Sequence, residues 1–290
     1  MPSLTYYESK FLKLNNHLND VVLEGMNSST FTKTFTMITV IIVSFTSLSQ
    51  GQDKQLNVGL LIAATGKYLS LTKPLIESGR KYFLTNHNVT YFVFTDSSEE
   101  FLQADDIVVI YQKHLGWPFA TLMRFEFYNR QQFLLSSQDY LFSMDADMIF
   151  VDTVGNEFLG DLVGIQHPGF FHYLKKLFPY ERNPQSSACI NEPEGRFYFC
   201  GAVYGGKNKE FFSLTTTIAK KIRSDLYKGI IAIWHDESHL NRYFIDHPPK
   251  LRLSPSYCFE YYPWTKALSP KISTVPKNFL KTEEGLSPFY

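Results

Sequence analysis

Two aspartates one residue apart, Asp145 and Asp147, stand between the apolar runs Leu141 to Met144 and Met148 to Val151. Carboxylates at i and i+2 just past an apolar strand are hard oxygen ligands, suited to Mn²⁺ or Mg²⁺. A cation held there completes its shell with phosphate oxygens and offsets the charge of a departing diphosphate. A solvated turn would use the same two residues, and only the apolar flanks speak against it.

A second cluster follows the apolar run Ile230 to Trp234. His235, Asp236 and Glu237 are three ionisable side chains in a row, at the end of what reads as an apolar strand. Glu237 there suits a nucleophile or a carboxylate that stabilises an oxocarbenium-like centre, and Trp234 offers a flat face to a sugar. Two other readings use the same residues. Asp236 and Glu237 could serve only as the acidic first turn of a helix. Alternatively His235 and His239, at i and i+4, approximate the His-Glu-x-x-His pattern of a zinc-dependent hydrolase, with a third ligand from His247 or Glu260. Asp236 then stands where that pattern needs the longer glutamate.

The elements that must position these groups alternate. Val58 to Ala64 reads as a buried strand ending in the turn Thr65 to Tyr68, Leu71 to Leu84 as a helix, and Tyr91 to Thr95 and Ile107 to Tyr111 as strands. A helix over Phe119 to Leu135 precedes the strand Tyr140 to Met144, which delivers Asp145. In the second half Phe211, Leu214, Ile218 and Ile222 recur at helical spacing within Lys207 to Lys228. This order predicts an α/β fold with an open sheet whose ligands sit past the carboxyl ends of the strands.

Lysine and arginine equal aspartate and glutamate at 28 each, which leaves no basic excess for nucleic acid. Cys189, Cys200 and Cys258 are too few and too scattered for a disulfide framework or a spaced zinc site. Residues 1–55 read as a tail and 56–290 as the catalytic domain. Within the tail, the uncharged run at 34–48 covers roughly 22 Å as a helix, short of the ~30 Å hydrocarbon core, so it suits a short signal or signal-anchor. Membrane anchoring in the secretory pathway would follow, with Asn88-Val89-Thr90 as a glycosylation acceptor. Cleavage or absence of the segment would leave a secreted or cytoplasmic protein.

From Asn57 to Leu280 the chain resembles glycosyltransferase family 6, the histo-blood-group ABO and α-1,3-galactosyltransferase family. The resemblance rests on Tyr91 to Asp96, Phe142 to Asp147, His167 to Phe170, Tyr180 to Arg182, Gly205-Gly206, Trp234 to Asn241, Leu253 to Pro255 and Val275 to Asn278, in that order. It implies a GT-A type fold: one Rossmann-like nucleotide-sugar domain with a mixed central sheet. It also implies retaining transfer of galactose or N-acetylgalactosamine from a UDP-sugar, in α-1,3 linkage, to a galactoside-type glycan. In a eukaryote it further implies a type II protein of the Golgi membrane.

The resemblance assigns roles residue by residue. Asp145 and Asp147 would hold Mn²⁺ and the UDP phosphates, and Glu237 would be the catalytic carboxylate. Arg124 falls near the donor sugar, while Ala63, Thr65 and Tyr68 line uracil and ribose. Lys277, with Lys281 as a possible aid, belongs to a tail that closes over the diphosphate. His167 and Trp234 would bind the acceptor sugar with Glu181 and Glu260, and His235 and Asp236 complete the substrate-binding segment. Donor choice falls to Cys200, Gly201 and Ala202, where the Ala202 methyl takes room from an acetamido group and so favours galactose. A transferase-like protein that binds sugars without turnover would carry the same residues.

Overall fold

The computed structural model describes residues 54–275, so the apolar run at 34–48, Lys277 and Lys281 lie outside the described residues. From Gln55 onward the chain forms one compact unit. In chain order its elements are β1 (Asn57–Ala63), α1 (Leu69–Tyr82), β2 (Asn88–Thr95), β3 (Ile107–Tyr111), α2 (Phe119–Leu122), α3 (Arg124–Arg130) and β4 (Tyr140–Asp145). There follow β5 (Met148–Phe150), β6 (Leu162–Gln166), β7 (Phe199–Lys207), α4 (Asn208–Tyr227), α5 (His235–Asp246), β8 (Leu251–Leu253) and β9 (Ile272–Thr274).

Seven strands form one mixed sheet in the order β3-β2-β1-β4-β7-β6-β8, and β5 pairs with β9 in a separate ladder. The strands β3, β2, β1 and β4 run parallel; β7 is antiparallel to both β4 and β6. Both faces are covered, which is why the central strands read as unbroken apolar runs. Val58, Leu60 and Ile62 of β1 join Phe142 and Met144 of β4 in one core, packed by α1. Leu61 and Leu141 point to the opposite core, where α4 lays down Phe211, Leu214, Ile218 and Ile222 at the helical spacing read from the sequence.

Gly205 marks the tightest point of this sheet. It pairs with Phe142 on one side and Val163 on the other, and a Cβ placed there would lie 2.3 Å from the Leu141 carbonyl oxygen. Backbone cannot yield as a flexible side chain can. Gly205→Ala is expected to cost about 3 kcal/mol or more, measured as a shift in the denaturant midpoint.

Two elements depart from the sequence reading. The expected helix over Phe119 to Leu135 is broken at Met123 (φ −89°, ψ 4°) into α2 and α3, and α3 ends at Arg130. Across its end the polar residues Asn129 to Gln132 supply no apolar stripe to hold a helix against the core. The run Ile230 to Trp234 is a loop rather than a strand, with Ile231 43% and Ile233 59% exposed. Helix α4 stops just before it at Gly229, whose φ of +71° suits a helix C-terminus. Among the described residues no strand pairs with it, and the loop's amides find other partners: Ile230 N–H donates to the Asp225 carbonyl and Ile233 N–H to the Glu181 carboxylate.

Among the described residues no helix is long and apolar enough to cross a membrane. Asn88 is exposed at the start of β2, where its side-chain amide donates to Asn57.

Candidate active site

The order of the parallel strands reverses between β1 and β4, which lie side by side with Ala63 opposite Asp145. Their carboxyl ends therefore open the crevice where ligands of such sheets bind. From β1 the chain continues through Thr65 and a short turn at Gly66–Tyr68. The turn is pinned from outside: Asp96, just past β2, accepts from the Gly66 amide at 2.7 Å, and His114 Nδ1 lies 2.9 Å from Thr65 Oγ1. Neither Asp96 nor His114 has a sequence signal of such a role beyond standing after an apolar strand. Their effect is to fix the Ala63-Thr65-Tyr68 wall opposite the aspartates.

Arg124 organises the centre. The break at Met123 places it as the first residue of α3, buried at 4% exposure. One guanidinium nitrogen donates to Asp145 at 2.6 Å and to the Gly201 carbonyl at 3.3 Å, and Nε lies 3.3 Å from Asp236. A buried cation is tolerable only with such partners. Burial nonetheless raises the Asp145 carboxyl to about 7, with Arg124 pulling in the opposite direction.

Glu237 enters from the first turn of α5. Its Oε1 accepts from the Tyr198 hydroxyl at 2.6 Å and its Oε2 from the Gly201 amide at 2.7 Å, so both oxygens are aimed. These bonds favour the carboxylate, yet burial outweighs them and lifts the group to about 7. Gly201 leaves room for this approach, since a Cβ there would lie 3.1 Å from that of Glu237. Tyr198 has no sequence signal of its own; its position two residues before the tripeptide Cys200-Gly201-Ala202 is the available clue. Within that tripeptide Cys200 is buried against the Cys258 thiol, whereas Ala202 is half-buried.

Asp147 sits in the turn between β4 and β5, and its backbone carbonyl accepts from Val275. Burial raises its carboxyl, and the negative charge of Glu260 adds to the effect. The charges of Asp147 and Asp145 reach Tyr68 across the crevice and raise its phenol, after burial. Asp145 and Asp236 thus pair with the Arg124 guanidinium, while Glu237 feels the charges of those two aspartates and Asp147 that of Glu260. Among the described residues no three His, Cys, Asp or Glu side chains form a complete metal cage. The chemistry of the donor set fits a hard divalent cation that takes two carboxylates from the protein and its other ligands from phosphate.

His167 follows β6 and is held by its own loop. Its Nδ1 accepts from the Gly169 amide at 3.0 Å, which leaves the proton of the neutral ring on Nε2. Burial keeps the ring neutral by lowering its pKa to about 4. Glu260 accepts from the Tyr262 hydroxyl at 2.7 Å. Trp234 is exposed at the start of α5, and the His235 ring meets that of Trp117 edge-on at 5.0 Å.

Glu181 is placed differently from an open acceptor ligand. It is buried, and its two oxygens accept from the Asn183 amide at 2.7 Å and the Ile233 amide at 2.8 Å. In this arrangement it anchors the loop that carries Trp234. Replacing an oxygen with an amide donor removes one such bond, so Glu181→Gln should raise KM for the acceptor by roughly tenfold while KM for the donor holds. Initial-rate kinetics with each substrate varied in turn would check this.

The zinc reading of the same segment fails on geometry. His239 is buried in α5 with Nε2 3.9 Å from Asp225, while His235 packs against Trp117. His247 stacks on Tyr243 at 4.4 Å, and Glu260 is hydrogen-bonded to Tyr262. The i, i+4 spacing does not aim both rings at one point, because His239 serves the core and its burial lowers it to about 4.

Comparison with known proteins agrees with this geometry. The model of glycosyltransferase family 6 matches residues 34–282. The chain is 36% identical to globoside alpha-1,3-N-acetylgalactosaminyltransferase 1 of Gallus gallus over 77% of this chain and 68% of that protein. It is 35% identical to histo-blood group ABO system transferase 2 of Rattus norvegicus, over 76% and 70% of the respective lengths. Against alpha-1,3-galactosyltransferase 2 of Homo sapiens the identity is 28%, over 79% and 71%. The mixed sheet is that of a GT-A type domain, its crevice holds the paired aspartates opposite Glu237, and the chain belongs to glycosyltransferase family 6, as a hexosyltransferase that uses a UDP-sugar.

Proposed function

We propose that the protein transfers galactose or N-acetylgalactosamine from its UDP donor, with retention and in α-1,3 linkage, to a galactoside-type glycan. The observation that carries this reading is Glu237, half-buried and held by Tyr198 and Gly201 in the same cluster as Arg124 and Asp145. A carboxylate fixed in that way suits positive charge developing at an anomeric carbon, by electrostatic support or by forming a glycosyl-enzyme. Four of the relatives matched bear the name of globoside N-acetylgalactosaminyltransferase, which supports a glycolipid headgroup as acceptor.

Asp145 and Asp147 would hold Mn²⁺ or Mg²⁺, which when bound offsets the charge that builds on the UDP diphosphate. Ala63, Thr65 and Tyr68 form the wall for the base and ribose. Arg124 orients Asp145 and favours its ionised form against the effect of burial. His167, through its Nε2 proton, and Trp234, through its ring face, position the acceptor. Ala202 restricts space near C2 of the donor sugar, and this favours galactose. The apolar run at 34–48 supports a type II location on secretory-pathway membranes.

Incubation with UDP-galactose or UDP-N-acetylgalactosamine and a galactoside acceptor, with products analysed by NMR, tests the whole reading. An α-1,3-linked product is expected; donor binding without product would leave a sugar-binding protein instead. Ala202→Gly should shift the ratio of kcat/KM towards UDP-N-acetylgalactosamine by about tenfold. Asp147→Asn should raise the Mn²⁺ concentration needed for half-maximal rate by about tenfold or more; an unchanged cation requirement would remove Asp147 from the metal site.

A further inference from the structure

Beside the acceptor site lies a patch of exposed apolar side chains that the transfer reaction does not use. The loop after His167 runs Phe171-His172-Tyr173-Leu174-Lys175-Lys176-Leu177 and leaves Leu174 68% and Leu177 54% exposed. A short turn over Lys175–Leu177 folds the two leucines together, with Leu177 N–H donating to the Leu174 carbonyl. The patch continues through rings: Tyr173 meets His172 at 4.1 Å, His172 meets Trp264 at 4.5 Å, and Trp264 stacks on Tyr262 at 5.1 Å.

This surface is tied directly to the acceptor side. Trp264 Nε1 donates to the Pro168 carbonyl beside His167, and the Tyr262 hydroxyl donates to Glu260. Its charged residues are mainly lysines, with Glu260 at its inner edge bonded to Tyr262. No Asp or Glu occurs from His167 to Tyr180 or from Tyr261 to Pro270, whereas Lys175, Lys176 and Lys266 do. In a chain with no net charge, that is a local basic excess at the rim of an acidic crevice.

Aromatic rings alone could stack on further sugars of an acceptor. Two solvent-exposed leucines flanking a lysine pair could not, because a sugar offers them little apolar surface, whereas a lipid interface takes leucine, tyrosine and tryptophan inward and lysine at the headgroups. We infer that this patch docks the enzyme on a lipid bilayer surface, so that a glycolipid headgroup rises into the acceptor site beside His167. The inference rests on the proposed transfer only for its purpose; the docking itself is testable without turnover.

Hydrogen exchange on the full chain, with and without phosphatidylcholine–phosphatidylserine vesicles that carry no acceptor, reads the docking. Residues 171–178 should exchange more slowly with vesicles present, and no slowing there would overturn the inference even if transfer is normal. In a second arm, Leu174→Ser with Leu177→Ser should lower kcat/KM about tenfold for a galactose-ended glycolipid in vesicles and leave the free oligosaccharide unaffected. Equal losses on both acceptors would make the patch a glycan subsite and refute the docking. Absence of transfer to either acceptor by the unaltered enzyme would sink the proposed function, with the exchange result still deciding the docking.

Discussion

Glu237→Gln should lower kcat by about 10²–10³-fold and at the same time make the protein more stable at pH 8. The two effects share one cause. Burial holds the Glu237 carboxyl at about 7, well above an ordinary glutamate, so the folded chain holds a proton there that the unfolded chain has released. The associated stability is fully present below the glutamate's unfolded pKa and is lost as pH rises through about 7. A neutral glutamine never carries that penalty. Its carbonyl can accept from Gly201 while its amide donates to a reoriented Tyr198 hydroxyl, so the geometry has a route to persist. The gain at pH 8 is at most about 3 kcal/mol, and at pH 4 it should vanish. Thermal melts at both pH values and transfer rates would check the pair of outcomes.

The pH profile of the unaltered enzyme follows from the same group. Since the ionised carboxylate does the work, kcat/KM should rise with pH through about 7. Tyr198→Phe removes a bond that favours the carboxylate, so this limb should move to higher pH. A merely structural role for Tyr198 would leave the limb where it is.

The second large effect is expected at Arg124. Arg124→Met strips the only guanidinium from Asp145 and Asp236 and leaves the Gly201 carbonyl without that donor. Breaking a buried pair by removing one partner costs about 3–5 kcal/mol. The loss should be greater at pH 8 than at pH 5.5, because Arg124 is what lowers the Asp145 carboxyl and its removal raises that carboxyl further. At the lower pH a proton can take the place of the missing cation. Arg124→Lys should recover only part of the stability, as one ammonium cannot span Asp145, Gly201 and Asp236 together. Denaturant unfolding at the two pH values separates this account from simple loss of packing, which would be insensitive to pH.

Much of the site was legible because its signals are local. A continuously buried strand ending in Asp145-Ala146-Asp147, and the run from Trp234 to His239, survive as contiguous residues, and the helical stripe of α4 depends only on its own spacing. The apolar content of Ile230 to Trp234 misled for the same reason: composition says nothing of whether a neighbouring strand exists to pair with. Glu181 likewise reads as an available carboxylate until its partners, two and 52 positions away, are seen to use both oxygens.

By itself, then, the amino-acid sequence determined the α/β class, the family, the paired aspartates and the identity of Glu237, since these rest on side-chain type and order along the chain. The tertiary structure decided which of the acidic groups are brought together, that Arg124 joins Asp145 to Asp236 across 21 and 112 positions, and that Tyr198 and Gly201 aim the carboxylate. Charge strength in a crevice depends on desolvation and on partners brought from distant segments, and neither quantity is written in local sequence.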